Sequence, residues 1–190
     1  DSKALAVLTR VPTTAKDFSI YSRIGHLCVA LERWQEAYES YSMASKLESG
    51  SGDALYNLAF SLFKLGRLEE ALAKGESSIA LNQENVQAHV LVATCLEFSG
   101  NFAYSESHYT TAISLEPKSS VLFCNRGVVR SKLGWFDLAL ADYDQSLALE
   151  PKRADVLSNK GDLLTKLSRE AEAIEILMQA IELDPALAAA

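Results

Sequence analysis

The sequence predicts an all-α solenoid of stacked antiparallel helix pairs, and three observations predict it. From Ser120 to Arg153, apolar and small residues recur at helical spacing on both sides of Gly134, and Pro151 closes the second run, so this stretch reads as one helical hairpin. Stepping by 34 residues from Gly127 lands on Ala93, Ala59 and Gly25 in one direction and on Gly161 in the other, all of them small. Three more ladders keep the same phase without insertion: Ala37, Ala71, Ser105, Ala139, Ala173; Ala44, Ser78, Ala112, Ser146, Ala180; and Leu47, Leu81, Leu115, Leu149, Leu183. A fixed period of this length marks hairpins that cannot bury their apolar faces singly and stack to do so. The small rungs follow from packing, because two helices approach closely only where no side chain intervenes.

Residues 1–17 read as the remnant of a preceding repeat or as an arm. Ser2 caps a short helix reaching Thr9 or Arg10, Leu5 and Leu8 share one face, and Pro12 ends it. The first copy, 18–51, pairs a helix around Ile20 to Leu31 with one around Trp34 to Leu47. Its closing Gly50-Ser51-Gly52 is a flexible turn and not a phosphate loop, since no strand precedes it and no Lys follows in place. The second copy, 52–85, has Gly75 where Tyr41, Tyr109 and Tyr143 stand elsewhere, which predicts a local gap or bend. The third, 86–119, puts Ser105 on an Ala rung, its hydroxyl free to bond back to its own helix. In the fourth, 120–153, Asp142 and Asp144 read as part of a solvated face, as do Glu69 and Glu70 in the second. The fifth, 154–187, carries Glu170 in place of Trp34, Leu68, Phe102 and Phe136, so its hairpin is expected to be looser. Residues 188–190 read as a truncated tail. Ile174, Leu177, Met178 and Ile181 would otherwise stay uncovered, which predicts further repeats or self-association at that end.

These features resemble the tetratricopeptide repeat, whose signature is a large residue, Leu-Gly and an aromatic, then Ala, an aromatic and Pro. The fourth copy carries it as Phe123, Arg126-Gly127, Ala139, Tyr143 and Pro151, and the first as Tyr21, Ile24-Gly25, Ala37 and Tyr41. The resemblance covers Phe18 to Leu187 and implies a right-handed superhelix whose first helices line a concave groove. That implied groove holds Tyr56, Asn57, Phe60, Phe63 and Lys64 from the second copy and Val90, Leu91, Thr94 and Phe98 from the third. The fourth adds Asn125, Val128 and Lys132, and the fifth Asn159 and Lys166, so the wall grades from aromatic to polar. Exposed aromatics in a concavity anchor a peptide or helix. Asn57, Asn125 and Asn159 form a partial ladder, broken by Arg23 and Leu91, like that in the arm of O-linked N-acetylglucosamine transferase. The clamp that chaperone adaptors of this family close on acidic tails is missing its Lys and Asn pair, for Ser22 with His26 or Tyr56 with Phe60 stands there.

The resemblance therefore implies an interaction scaffold in a larger assembly, with a protein or peptide in the groove. The alternative is a substrate-recruiting arm of an enzyme whose catalytic part lies outside this sequence. No catalytic, cofactor or metal set is expected: His26, His89 and His108 lack ligand spacing. A formal net charge of -7 argues against nucleic acid, and no apolar run is long enough for membrane insertion. Cys28, Cys95 and Cys124 lie inside helical segments without Cys-x-x-Cys spacing, and there is no Asn-x-Ser/Thr. Packed free thiols and an intracellular, cytoplasmic location are expected. Because the sequence opens on Asp1, it reads as an excised fragment.

Overall fold

In the computed structural model, residues 1–186 are described, and they form eleven α-helices with a short 3-10 turn at Thr13–Ala15, and no strand among them. A brief helix α1 (Ser2–Thr9) precedes α2 (Phe18–Ala30), α3 (Trp34–Leu47), α4 (Gly52–Lys64), α5 (Leu68–Leu81) and α6 (Val86–Phe98). Then come α7 (Phe102–Leu115), α8 (Ser120–Lys132), α9 (Phe136–Leu149), α10 (Ala154–Lys166) and α11 (Glu170–Leu183). Two compact units result, Asp1–Ser99 and Gly100–Ala190, and the division falls inside the third predicted copy. The expected tail 188–190, and Leu187 with it, lies outside the described residues.

The hairpin turns explain why first and second helices alternate so regularly. Each contains one residue with left-handed backbone at the same rung: Glu32, Gly66, Gly100, Gly134 and Ser168, with φ of 56°, 75°, 75°, 76° and 59°. The following N–H reaches back across the turn, as Arg33 to the Cys28 carbonyl at 2.8 Å and Trp135 to that of Arg130 at 2.9 Å, which closes the preceding helix. Glycine adopts this conformation freely, whereas Glu32 and Ser168 are strained in it. Glu32→Gly and Ser168→Gly are each expected to stabilise the protein by about 1 kcal/mol, read as a rise in the urea midpoint.

The start of α1 corrects one expectation. The N-cap position is Asp1 and not Ser2, because the Leu5 N–H already bonds the Asp1 carbonyl at 2.9 Å and draws Ser2 into the first turn. Leu5 is buried in the core of the first unit with Ile24, Cys28, Tyr41, Leu58 and Leu62. The second unit has its own core, including Leu140, Tyr143, Val156, Leu163 and Leu164. The first helices α2, α4 and α6 are capped by Asp17, Ser51 and Asn85, each accepting from the backbone N–H three residues on.

The small rungs are contact points. Ala37, Ala71, Ser105, Ala139 and Ala173 are all buried, and a Cβ on Gly127 would fall 2.7 Å from the Tyr143 ring. Two serines on the third ladder tie their hairpins internally. Ser78 donates to the Gly52 carbonyl at 2.8 Å, and Ser146 to the Ser120 carbonyl at 2.9 Å. Gly75 opens neither the gap nor the bend expected of it. Helix α5 runs through it unbroken, and a Cβ there would lie 2.7 Å from Cγ2 of Val92, so α6 supplies the volume that tyrosine supplies in other copies. Glu170, at the start of α11, is exposed, as are Ile174 and Met178.

Asp142 is a second correction. It is not on a solvated face: its side chain is 4% exposed and accepts from Arg126 at 2.7 and 2.9 Å and from Arg130 at 3.0 Å. Arg130 also binds Glu106 at 2.7 Å, and Arg126 donates to Thr110 at 3.0 Å, so the network joins α7, α8 and α9. Asp144 does stay exposed, paired with Lys160 at 2.6 Å. The three cysteines are buried free thiols, and burial pushes Cys95 up to about 11. Among the described residues no helix is long and apolar enough to cross a membrane.

Candidate functional site

The first unit holds an aromatic group assembled from three helices. Helix periodicity puts Tyr56, Phe60, Phe63 and Lys64 within two turns of α4. Tyr56 stacks on Phe60 with ring centroids 6.3 Å apart, and Trp34 from α3 meets Phe60 edge-on at 6.0 Å. Lys64 lies over Trp34 at 5.2 Å and over Phe60 at 5.7 Å, a cation held against two ring faces. Phe63 meets Phe98 of α6 at 5.9 Å, and Phe98 is 68% exposed.

Beside this group, the first helices of three successive hairpins enclose a cleft of about 500 Å³. Ser22 and His26 reach it from α2, Tyr56 and Asn57 from α4, and Asn85 and Gln87 from the start of α6. The His26 and Tyr41 rings stand nearly perpendicular, with centroids 5.6 Å apart. Burial pushes the Tyr56 hydroxyl above its ordinary range and keeps it neutral.

Within the second unit, a smaller cleft of about 200 Å³ lies between α8 and α10. Val128, Lys132, Asn159 and Lys166, all assigned to the groove from sequence, line it together with Asp162 and Tyr143. Lys132 lies over the Phe102 ring at 5.3 Å and Lys166 over that of Phe136 at 4.9 Å. Lys64 over Trp34 repeats the same offset in the first unit, so three lysines of one rung each cover the first aromatic of the preceding second helix.

The sequence-assigned residues thus divide by place. Tyr56 and Asn57 come together in the larger cleft, and Phe60, Phe63, Lys64 and Phe98 belong to the aromatic group beside it. Val90 and Thr94 are half-buried on α6, where the Thr94 hydroxyl donates to the Val90 carbonyl at 2.8 Å, and Asn125 is half-buried on α8. Leu91 is a correction. At 5% exposure it belongs to the core of the first unit, because the Asn rung turned apolar in α6 packs inward beside Leu58 and Cys95. Sequence reasoning missed Trp34, placed only at the start of a second helix, and Asn85 and Gln87, which lie at a helix start while the groove assignment used mid-helix positions. The shared offset between Trp34 and Lys64, and between Phe136 and Lys166, was the signal for the first.

Family models described as tetratricopeptide repeat match residues 23–86, 121–153 and 154–187. Among solved structures, MamA from Desulfovibrio magneticus RS-1 superposes with a TM-score of 0.84 at 14% identity, covering 89% of this chain and 96% of that one. YrrB, described as a TPR protein with an unusual peptide-binding site, gives 0.79 at 21% identity over 94% of this chain and 92% of its own. A thermophilic TPR protein of Thermus thermophilus, TTC0263, gives 0.67 at 26% identity over 88% and 92%.

Proposed function

This chain belongs to the tetratricopeptide repeat family, and from that premise we propose that it is an interaction scaffold whose 34-residue units, divided at 18–51, 52–85, 86–119, 120–153 and 154–187, present first helices to a partner peptide. One observation carries the reading: the cleft lined by α2, α4 and α6 sets amide and imidazole groups beside aromatic rings. An extended peptide needs both, because its backbone donors and acceptors must be matched and its side chains need apolar surface. Among the described residues, the Asn57 side chain makes no hydrogen bond and is half-exposed in the cleft, so it is available to a ligand backbone. The description of YrrB as having a peptide-binding site agrees with the class of ligand. The free, buried thiols suit an intracellular setting.

Selection of random twelve-residue peptides displayed on phage, followed by amide chemical-shift mapping of an enriched peptide, tests the proposal. Shifts are expected to cluster at His26, Tyr56, Asn57 and Phe60, and Asn57→Ala is expected to weaken binding about fivefold. Shifts confined to second helices, or affinity unchanged in Asn57→Ala, would overturn it. Tyr56 and Phe60 are poorer probes, because both are partly buried against the core and their removal costs stability as well as contact.

A further inference from the structure

Resting on the peptide-binding reading above, we infer that the cleft of the first unit selects a peptide bearing a Lys or Arg side chain next to an apolar or aromatic residue. The electrostatic inventory of the cleft is one-sided. Glu48 and Asp53 line it, and neither Lys nor Arg does. Both carboxylates are exposed, and among the described residues neither enters an ion pair. Several carboxylates elsewhere on the surface are matched by a neighbouring cation, Glu36 by Arg33, Glu70 by Arg67, Asp144 by Lys160 and Glu172 by Arg169, while the cleft supplies no Lys or Arg for its own two.

The chain itself shows what such a carboxylate accepts. Asp155 stands on the rung of Asp53 three copies later, and the Arg153 guanidinium engages it through two donors. The rung of Arg153 is occupied by Ser51 at the cleft, so Asp53 keeps the acceptor geometry of a helix first turn without the internal cation. A guanidinium or ammonium from outside can take that place. A separate observation supplies the peptide backbone contact. Asn85, 8% exposed, uses its Oδ1 to accept from the Ala88 N–H at 3.0 Å, and its amide N–H groups make no bond among the described residues while it lines the cleft. They can donate to a ligand carbonyl. Tyr56, stacked on Phe60, offers the adjacent apolar face.

The test takes the peptides enriched by phage display on the intact chain and measures affinity by fluorescence polarisation for each peptide and for versions with Arg replaced by citrulline or Lys by norleucine. Neutralising the peptide is expected to weaken binding about tenfold, the sum of two partly exposed ion pairs. Glu48→Gln combined with Asp53→Asn is expected to cost about the same and to abolish the difference between charged and neutral peptide. Both positions are exposed, and unchanged far-ultraviolet circular dichroism confirms the fold. Peptides that shift His26 and Asn57 without any cationic preference, or a neutralisation cost that persists in the double variant, would overturn the cation selectivity and leave the peptide-binding reading standing. Absence of any peptide in the cleft would overturn both.

Discussion

Asp142→Ala is expected to lower stability by about 3–5 kcal/mol, because it leaves the buried Arg126 guanidinium without its carboxylate and Arg130 with Glu106 alone. The side chains of Arg126 and Arg130 are 12% and 13% exposed, so water replaces the lost carboxylate only in part. The midpoint of urea unfolding measures the effect, and a loss under about 1 kcal/mol would show the network to be a surface feature. The ladders also predict how to remove the network harmlessly. On the rungs of Glu106, Arg126 and Arg130 the second copy has Leu72, Leu58 and Leu62, and on the rung of Asp142 the fifth copy has Ile176. Replacing all four charged residues together with Leu, Leu, Leu and Ile is expected to be neutral or stabilising, since desolvating ions gains less than packing apolar groups of similar volume. The contrast between the single and fourfold variants separates the cost of a broken pair from the worth of the pair.

Gly127→Leu is expected to cost about 3 kcal/mol, the upper part of the usual range for overfilling a packed core. The first atom of any side chain there lies 2.7 Å from Cε1 and 2.9 Å from Cδ1 of Tyr143, whose ring is itself buried. Neither α8 nor α9 can withdraw without loosening the serine contact between Ser120 and Ser146. Gly161→Ala makes a useful control. Its Cβ would meet Cδ2 and Cγ of Leu177, both at 2.5 Å, so the leucine must change rotamer, which the half-buried Leu177 can do and the buried Tyr143 ring cannot. Gly161→Ala is expected to cost less than Gly127→Leu, about 1 kcal/mol, helped by the helix preference of alanine. Equal stabilities for Gly127→Leu and the parent, with helicity retained, would refute the close approach of these two helices.

Much of the candidate site was legible because helical position is periodic. Once the first helices were placed, Val128, Lys132, Asn159 and Lys166 had to share one side of neighbouring helices, and they line one cleft. Other residues were not legible for the same reason. Leu91 occupies the Asn rung, yet an apolar side chain at that position gains by turning into the core, which sequence position alone does not reveal. Nothing in the spacing of Glu48 and Asp53 sets them apart, and only the folded chain shows that they border a cleft lined by no Lys or Arg.

The amino-acid sequence by itself determined the all-α repeat, its 34-residue period and the small residues at helix contacts, because each depends on local spacing that the chain repeats. Tertiary structure alone decided that the Leu47 and Leu81 rung is about half exposed at 52% and 51%, while Asp142 is buried. It also decided that Val92 fills the space beside Gly75. These outcomes depend on which side chain from another helix arrives at a given point, and burial follows the company a residue keeps more than the residue itself.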